Sequence, residues 1–408
     1  MYSFLASGFA LTLILYPLSP AGAGLVLTFI LTTSLFFRSS YFAHISVSPP
    51  CFFLLLIIFL NVIQWILDPD RFSQDWTTRL KSMQGYFYLA LMMLTVPLVR
   101  EGHYKTTDPD RFAIFFLLTG IPAIYSIAYI FSLLASKGGR ASFLIEHNFE
   151  IAFLNIIISL RALALRFNAF PSCIMWPKGT NMWFQGVFNS VATRSMSGSL
   201  GLALIIIAHK NLTRSVFTQT LNLQTLFIAL KSKIFARLMF FGFLLLISTW
   251  LAILTLRGGG VGIDRLSYIN SLGYLDLPDL VFGIGVSSVL PPDMSSTLLL
   301  QENLKSQLDS SGYATSLLLH SAWLRVLVDT GLCGLLVVTW SLISLFNGFP
   351  VGFSLMILGP VFATGLSVGS IFNPILSFAL FIAVCFISQF PVKAFKDPIL
   401  PQKAPPKC

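Results

Sequence analysis

Two arginines, a histidine and an oppositely charged pair four residues apart mark the stretch of this chain best suited to chemistry. Arg257 and Arg265 follow one apolar run, with Asp264 between them, and His320, Arg325 and Asp329 open the next. A guanidinium is planar, keeps its charge at any physiological pH and presents donors in a fork, which fits a phosphate bidentately. An imidazole, with an unperturbed pKa of about 6.5, suits taking a proton from an attacking hydroxyl. These residue types together suit transfer of a group away from an anionic leaving group, whose growing charge fixed arginines would stabilise. Each also has a plainer reading. A histidine at a helix mouth is often only a satisfied polar residue, and Arg325 and Asp329 have the spacing of an ion pair within one helix. Arg194 begins another apolar run and suits snorkelling to an interface. Arg71, Arg79 and Lys81 read as solvated loop surface, and Gly331 and Gly334 as sites of close helix packing.

The elements that must position these residues are set by composition. Of 408 residues, 55% are hydrophobic and 10% charged, against about 25% charged in soluble domains. From Thr330 to Val392 the chain carries no Asp, Glu, Lys, Arg or His. A spanning helix needs roughly 20 residues, so this stretch alone supplies three. The expected fold is an all-α integral membrane protein, a bundle of about ten transmembrane helices. Candidate spans lie near 3–18, 20–37, 51–67, 85–99, 112–135, 191–209, 238–256, 325–346, 349–367 and 371–388. The first apolar run has no basic n-region and a second follows at once, so it is expected to be an uncleaved helix. Cys51, Cys173, Cys333, Cys385 and Cys408 have neither paired nor metal-like spacing. The net charge of +10 is scattered over membrane-flanking loops and is no nucleic-acid footprint.

Residues 143–170 resist this division. Glu150 and Arg161 stand too close for a crossing between them, and Glu146, Glu150 and Arg161 fall on one helical stripe. An interfacial or re-entrant amphipathic helix is expected here rather than a full crossing. With ten spans and both termini cytoplasmic, the inside receives Arg38, Arg100, Lys105, Arg111 and every tight basic cluster, thirteen of the 26 basic residues. Three hydrophilic segments then face outward, at about 68–84, 136–190 and 257–320. Residues 1–392 form a polytopic membrane domain, with the outward loops at about 136–190 and 257–320 its largest. Residues 393–408 form a Pro/Lys-rich cytoplasmic tail.

The run His320-Ser321-Ala322-Trp323-Leu324-Arg325-Val326-Leu327-Val328-Asp329-Thr330-Gly331-Leu332-Cys333-Gly334-Leu335 resembles the H-N-x-x-L-x-x-L-x-E-x-G-x-x-G-L pattern of the bacterial O-antigen ligase/polymerase superfamily. Ser321 stands where Asn is usual and Asp329 where Glu is usual. Arg265, Tyr268, Pro278, Gly283 and Gly285 are similar to that family's R…Y…P-x-x-G-x-G element, with two residues more between the proline and the glycines. Gly186-Val187-Phe188 is similar to its G-x-F element, without the following Pro-Asn. Thr364-Gly365 with Ser370-Ile371-Phe372-Asn373-Pro374 looks like the T-G-S-I-F-x-P turn of polymerase members.

The resemblance implies an integral-membrane glycosyltransferase of the bacterial inner membrane, with the large extracytoplasmic loop over its active site. Its substrate would be a polyprenyl-diphosphate-linked oligosaccharide drawn from membrane lipid, with a chain-length regulator as a further partner. His320 would be the acid–base residue, and Arg265, Arg257, Arg325 and Arg194 would hold diphosphate or glycan. No cofactor, bound metal or nucleotide is implied. The expected activity is polymerisation of lipid-linked repeat units into surface polysaccharide. A ligase, which moves the same glycan to a lipid-A core or another acceptor, is the first alternative. The second is a transporter of lipid-linked sugars, which should instead place its charges at midplane and in paired halves.

Overall fold

The computed structural model describes residues 2–36, 47–73, 75–101, 108–135, 151–166, 180–192, 196–211, 220–221, 225, 270–299, 308, 312–319, 321–365 and 370–388. Within them the chain is mostly helical, as apolar runs without a solvated surface require. The helices are α1 (Tyr2–Leu15), α2 (Pro20–Phe36), α3 (Pro49–Leu67), α4 (Trp76–Glu101), α5 (Asp108–Phe115), α6 (Ile121–Ala135), α7 (Ala152–Arg166), α8 (Thr180–Ala192) and α9 (Met196–Asn211). They continue as α10 (Leu277–Phe282), α11 (Pro292–Leu299), α12 (Ala322–Ser344), α13 (Val351–Gly365) and α14 (Pro374–Ile387). A π-helical stretch, Phe116–Gly120, joins α5 to α6.

Among the described residues, three helices are long and apolar enough to cross a membrane: Pro49–Leu67, Phe112–Ala135 and Ala322–Ser344. The other apolar helices have 10–17 residues. At 1.5 Å per residue even the longest of them falls short of a hydrocarbon core about 30 Å thick. Prolines and glycines set several of these limits. α14 starts on Pro374, with Asn373 accepting from the backbone N–H groups of Ile375 and Leu376 at 2.9 and 3.1 Å. The expected span at 238–256 lies outside the described residues.

The core is built around the two helices with the least contact with surroundings. Every residue of α14 is buried, which suits a helix apolar on all sides; it packs on α1, α2, α4 and α7. Each residue of α7 from Ala152 to Ala164 is buried as well, between α14, α13 and α9. An interfacial helix would leave one face to headgroups and water; residues 152–164 leave none, so of the two readings of 143–170 the re-entrant one is compatible with this burial. Asn155 donates to the Gly198 carbonyl at 2.9 Å, and Ser159 reaches the Met356 carbonyl at 3.3 Å. The polar positions of α7 therefore tie helices together instead of facing solvent. Arg161 is buried; Glu146 and Glu150 lie outside the described residues.

Two further segments depart from the expected loops. α8 occupies part of the stretch 136–190, and its Gly186 lies mid-helix, where an added methyl would press on Leu202 of α9. α4 begins at Trp76, not near 85. Asp75 precedes it, accepting from the Thr77 N–H at 2.9 Å and from both threonine hydroxyls. These bonds to the charged form lower the Asp75 carboxyl pKa.

The contacts define two ends of the bundle. At one end, Arg325 donates to the Lys81 carbonyl at 3.0 Å, Ser321 to the Gly365 carbonyl at 3.0 Å, and Asn373 to the Tyr16 hydroxyl at 3.0 Å. At the other, the Ser3 N–H reaches Asp110 at 3.1 Å, and Leu221 pairs with the Gly348–Pro350 turn through a 2.6 Å bond to the Phe349 carbonyl.

A candidate site where four segments converge

The first of these ends is organised by a break in α12. Gly331 has φ 67° and ψ −172°, a conformation open essentially to glycine. In an unbroken helix the Val328 and Asp329 carbonyls would accept from residues 332 and 333. Here they accept instead from the Ile284 and Gly285 N–H groups, at 2.9 and 3.0 Å. The approach is backbone to backbone. A methyl on Gly331 would run into the Val281 carbonyl, and one on Gly283 into that of Asp329. Gly283 (φ 82°) and Gly285 (φ 102°) make the turn that carries the chain across. The two glycine elements singled out in the sequence are thus a single joint.

Residues 284–290 are held from every side. Val286 donates to Asn61 Oδ1 at 2.6 Å and accepts from Trp65 Nε1 at 2.9 Å, both on α3. Arg71 Nη2 donates to the Ile284 carbonyl at 3.1 Å, and the Ser73 N–H to that of Ser287 at 3.1 Å. The Leu290 N–H bonds to the Ala314 carbonyl at 2.9 Å, leading toward Leu319 and Ser321. Arg79 is buried, not solvated. It donates to the Ser73 and Pro69 carbonyls at 2.5 and 3.1 Å, and its guanidinium lies 4.9 Å from the Trp76 ring and 6.0 Å from that of Trp65. It fixes the 69–73 turn that in turn grips 284–289.

Arg325 and Asp329 sit behind this joint. Arg325 Nε is 3.7 Å from Asp329 Oδ2, and its guanidinium lies 3.9 Å from the centre of the Phe372 ring. Gln84 donates to the Phe372 carbonyl and Tyr86 packs edge-on to its ring at 5.4 Å. The 370–374 turn is thereby brought under the first turns of α12. Ser316, Ser287 and Tyr86 lie beside the Asp329 carboxylate, yet none of them closes to full hydrogen-bond geometry. The result is a buried polar knot: among the described residues the hydroxyls of Tyr86, Ser287 and Ser316 and both Asp329 oxygens have no hydrogen-bond partner, nor has the hydroxyl of Ser82 on α4.

Of the residues expected from sequence, Arg325 is placed, and it is engaged inside the bundle with Lys81, Asp329 and Phe372. That is the ion-pair reading its spacing offered. His320, Arg265, Arg257 and Arg194 lie outside the described residues, as do Asp264 and Tyr268. His320's neighbours Leu319 and Ser321 are placed at this end, and Ser321 caps α12 by accepting from the Leu324 N–H. Sequence reasoning passed over Ser82, Tyr86, Ser287, Ser316 and Phe372, which carry no local signal and meet only in the fold. It also passed over Asp68-Pro69-Asp70, an exposed pair of carboxylates in the turn after α3. Compared with known family models, curated proteins and solved structures, the chain matches none.

Proposed function

We propose that this chain is a membrane glycosyltransferase of the O-antigen ligase/polymerase type, polymerising lipid-linked repeat units at the outer face of a bacterial inner membrane. The observation that supports the reading is the convergence just described. The Pro278–Gly285 element, the α12 element around Ser321–Leu335 and the Gly365/Ser370–Pro374 turn, separate in sequence, meet at one end of a helical bundle. In the proposed reaction a hydroxyl of the incoming unit attacks the anomeric carbon of the growing glycan. The bond from that carbon to the phosphate oxygen breaks, and the electron pair leaves with the polyprenyl diphosphate. His320 takes the hydroxyl proton, while Arg265 and Arg257 offset the charge growing on the leaving group. Arg194, earlier in the chain, serves as an additional glycan contact.

The test uses purified full-length protein with a lipid-linked repeat unit alone, in EDTA and without nucleotide. Elongated product is expected from the wild type. His320→Gln keeps hydrogen bonding but cannot accept the proton, so its rate should fall by about 10²–10⁴-fold. Arg265→Lys keeps the charge and loses the fork, so it should fall sharply too. Turnover only when a separate acceptor is supplied would replace the polymerase reading with the ligase. Loss of wild-type turnover in EDTA would overturn the metal-free mechanism and turn attention to Asp68 and Asp70.

A further inference from the structure

We propose that α10 and the turn after it enter the lipid bilayer. In this reading Leu277, Pro278 and Phe282 face acyl chains, and Ile284–Ser288 is re-entrant backbone buried in protein below the headgroups. The inference rests on the reading of α3 and α12 as membrane spans, and it changes the outward loop from a cover over the membrane into one that dips into it.

Depth is the first argument. The Ile284 and Gly285 amides bond to carbonyls six and seven residues inside α12, and the crossing at Gly331 lies nine residues inside. At 1.5 Å per residue these points are about 9–14 Å in from the helix mouth. On α3 the partners Asn61 and Trp65 stand six and two residues from the helix end, or about 9 and 3 Å. Each headgroup layer is only about 5–8 Å thick. The segment therefore reaches the acyl boundary or passes it.

The second argument is that the backbone is satisfied in the way such a depth demands. Irregular backbone survives in a bilayer only where protein supplies its hydrogen bonds. The Ile284 and Gly285 N–H groups are taken by Val328 and Asp329. Those of Val286 and Ser288 are taken by Asn61 and the Gly285 carbonyl, and the Ile284, Val286 and Ser287 carbonyls by Arg71, Trp65 and Ser73. Residues 284–288 are all buried.

The third argument is the direction in which α10 faces. At 100° per residue Leu277, Pro278, Val281 and Phe282 share one arc and Asp276 and Asp279 the opposite one. On the apolar arc Leu277, Pro278 and Phe282 are exposed and Val281 partly so; on the opposite arc Asp276 is exposed and Asp279 half-buried. Leu277 is 75% and Phe282 71% exposed, while Leu280 packs into the cluster under the loop. Phe282 borders the crossing at Gly331, beside which Leu332 (50%) and Leu336 (62%) continue the exposed apolar face down α12. An amphipathic helix at an interface turns its apolar face to the acyl boundary, about 5–10 Å deep, and this surface is continuous with a candidate span.

Nitroxide labels in the reconstituted full-length protein, on a background with the five native cysteines replaced, provide the test. Labels at Leu277→Cys and Phe282→Cys occupy exposed positions, so they cost no packing. Their accessibility to dissolved oxygen should be several-fold above that of a label at Ser296→Cys, and their accessibility to a water-soluble nickel complex several-fold below. Leu336→Cys serves as the mid-span reference. If Leu336 reads as lipid while 277 and 282 read as water, the inference fails and the membrane spans stand. Immobilised labels screened from both reagents would mean that protein, such as a second copy, covers the face, and would likewise overturn it. If Leu336 itself reads as water, the membrane reading falls and the inference with it.

Discussion

Arg325 shows how one side chain is given three jobs by its surroundings. Its guanidinium pairs with Asp329, donates to Lys81 on α4 and covers the face of Phe372. A charge this deeply buried is tolerable because each partner offsets part of its lost hydration. Asp329→Asn removes the counter-charge and leaves the guanidinium buried, so it should destabilise the protein by about 3–5 kcal/mol. Arg325→Met combined with Asp329→Leu, which removes both charges and keeps volume, should cost less than Asp329→Asn alone. Unfolding followed by tryptophan fluorescence in detergent measures all three, and costs that simply add would show that the two charges are not coupled. The ion pair was legible in the sequence because i, i+4 is a local relation. Phe372 and Lys81 were not, since nothing local links residues 244 positions apart. Arg79 was misjudged for a different reason: its carbonyl partners and two tryptophan faces lie within 14 residues, but they surround it only because the 69–73 turn folds back on the start of α4.

Among the elements, α12 and α7 are the instructive pair. The apolar run of α12 is plain in the sequence, but its break is not, because the Gly331 and Gly334 spacing suits tight helix packing equally well. The structure separates the two glycines. Gly331 needs its positive φ and touches the Val281 backbone, while Gly334 is helical and an added methyl there presses on the Thr330 Oγ1 and Cβ of its own helix. Gly331→Ala should therefore cost at least the 1–3 kcal/mol, roughly, of a forced glycine conformation, and it should also loosen the 281–286 joint. Gly334→Ala meets the Thr330 Cβ, which rotation cannot move, so the α12 backbone must shift locally; it keeps a helical backbone, gains about 1 kcal/mol of helix propensity and leaves the joint with Val281 alone. Thermal unfolding in detergent should rank Gly331→Ala well below Gly334→Ala, and equal melting temperatures would show that the break carries no strain. For α7 the stripe of Glu146, Glu150 and Arg161 pointed to one polar face, of which only Arg161 lies within the described residues, and it is buried. Asn155 and Ser159, which bond across helices, fall on the opposite side of the helix, so polar positions there serve packing partners on more than one face.

At the scale of the whole molecule, the helical class followed from composition, and the division into ten spans did not follow with it. Sequence counts apolar residues, whereas a crossing also needs unbroken length, and the turns before Pro20, at 347–350 and at 370–373 interrupt it among the described residues. What loop counting does capture is which segments share an end. Residues 65–73, 75–84, 284–290, 314–319, 321–325, 365 and 370–374 gather at one end, and Ser3, Asp110, 220–221 and 347–350 at the other. The first group carries the site elements. The second borders loops that hold the tight basic clusters, so the positive-inside tendency predicts that it is cytoplasmic. Ser296 and Asn347 are exposed, one in the loop of each end. In intact cells, on a background without native cysteines, Ser296→Cys should react with a membrane-impermeant maleimide, and Asn347→Cys should react only after permeabilisation. Reaction of both from outside would break the two-ended arrangement. A clean reversal would keep the arrangement but turn it over, placing the convergent end in the cytoplasm, where glycan transfer at the outer membrane face would have no site.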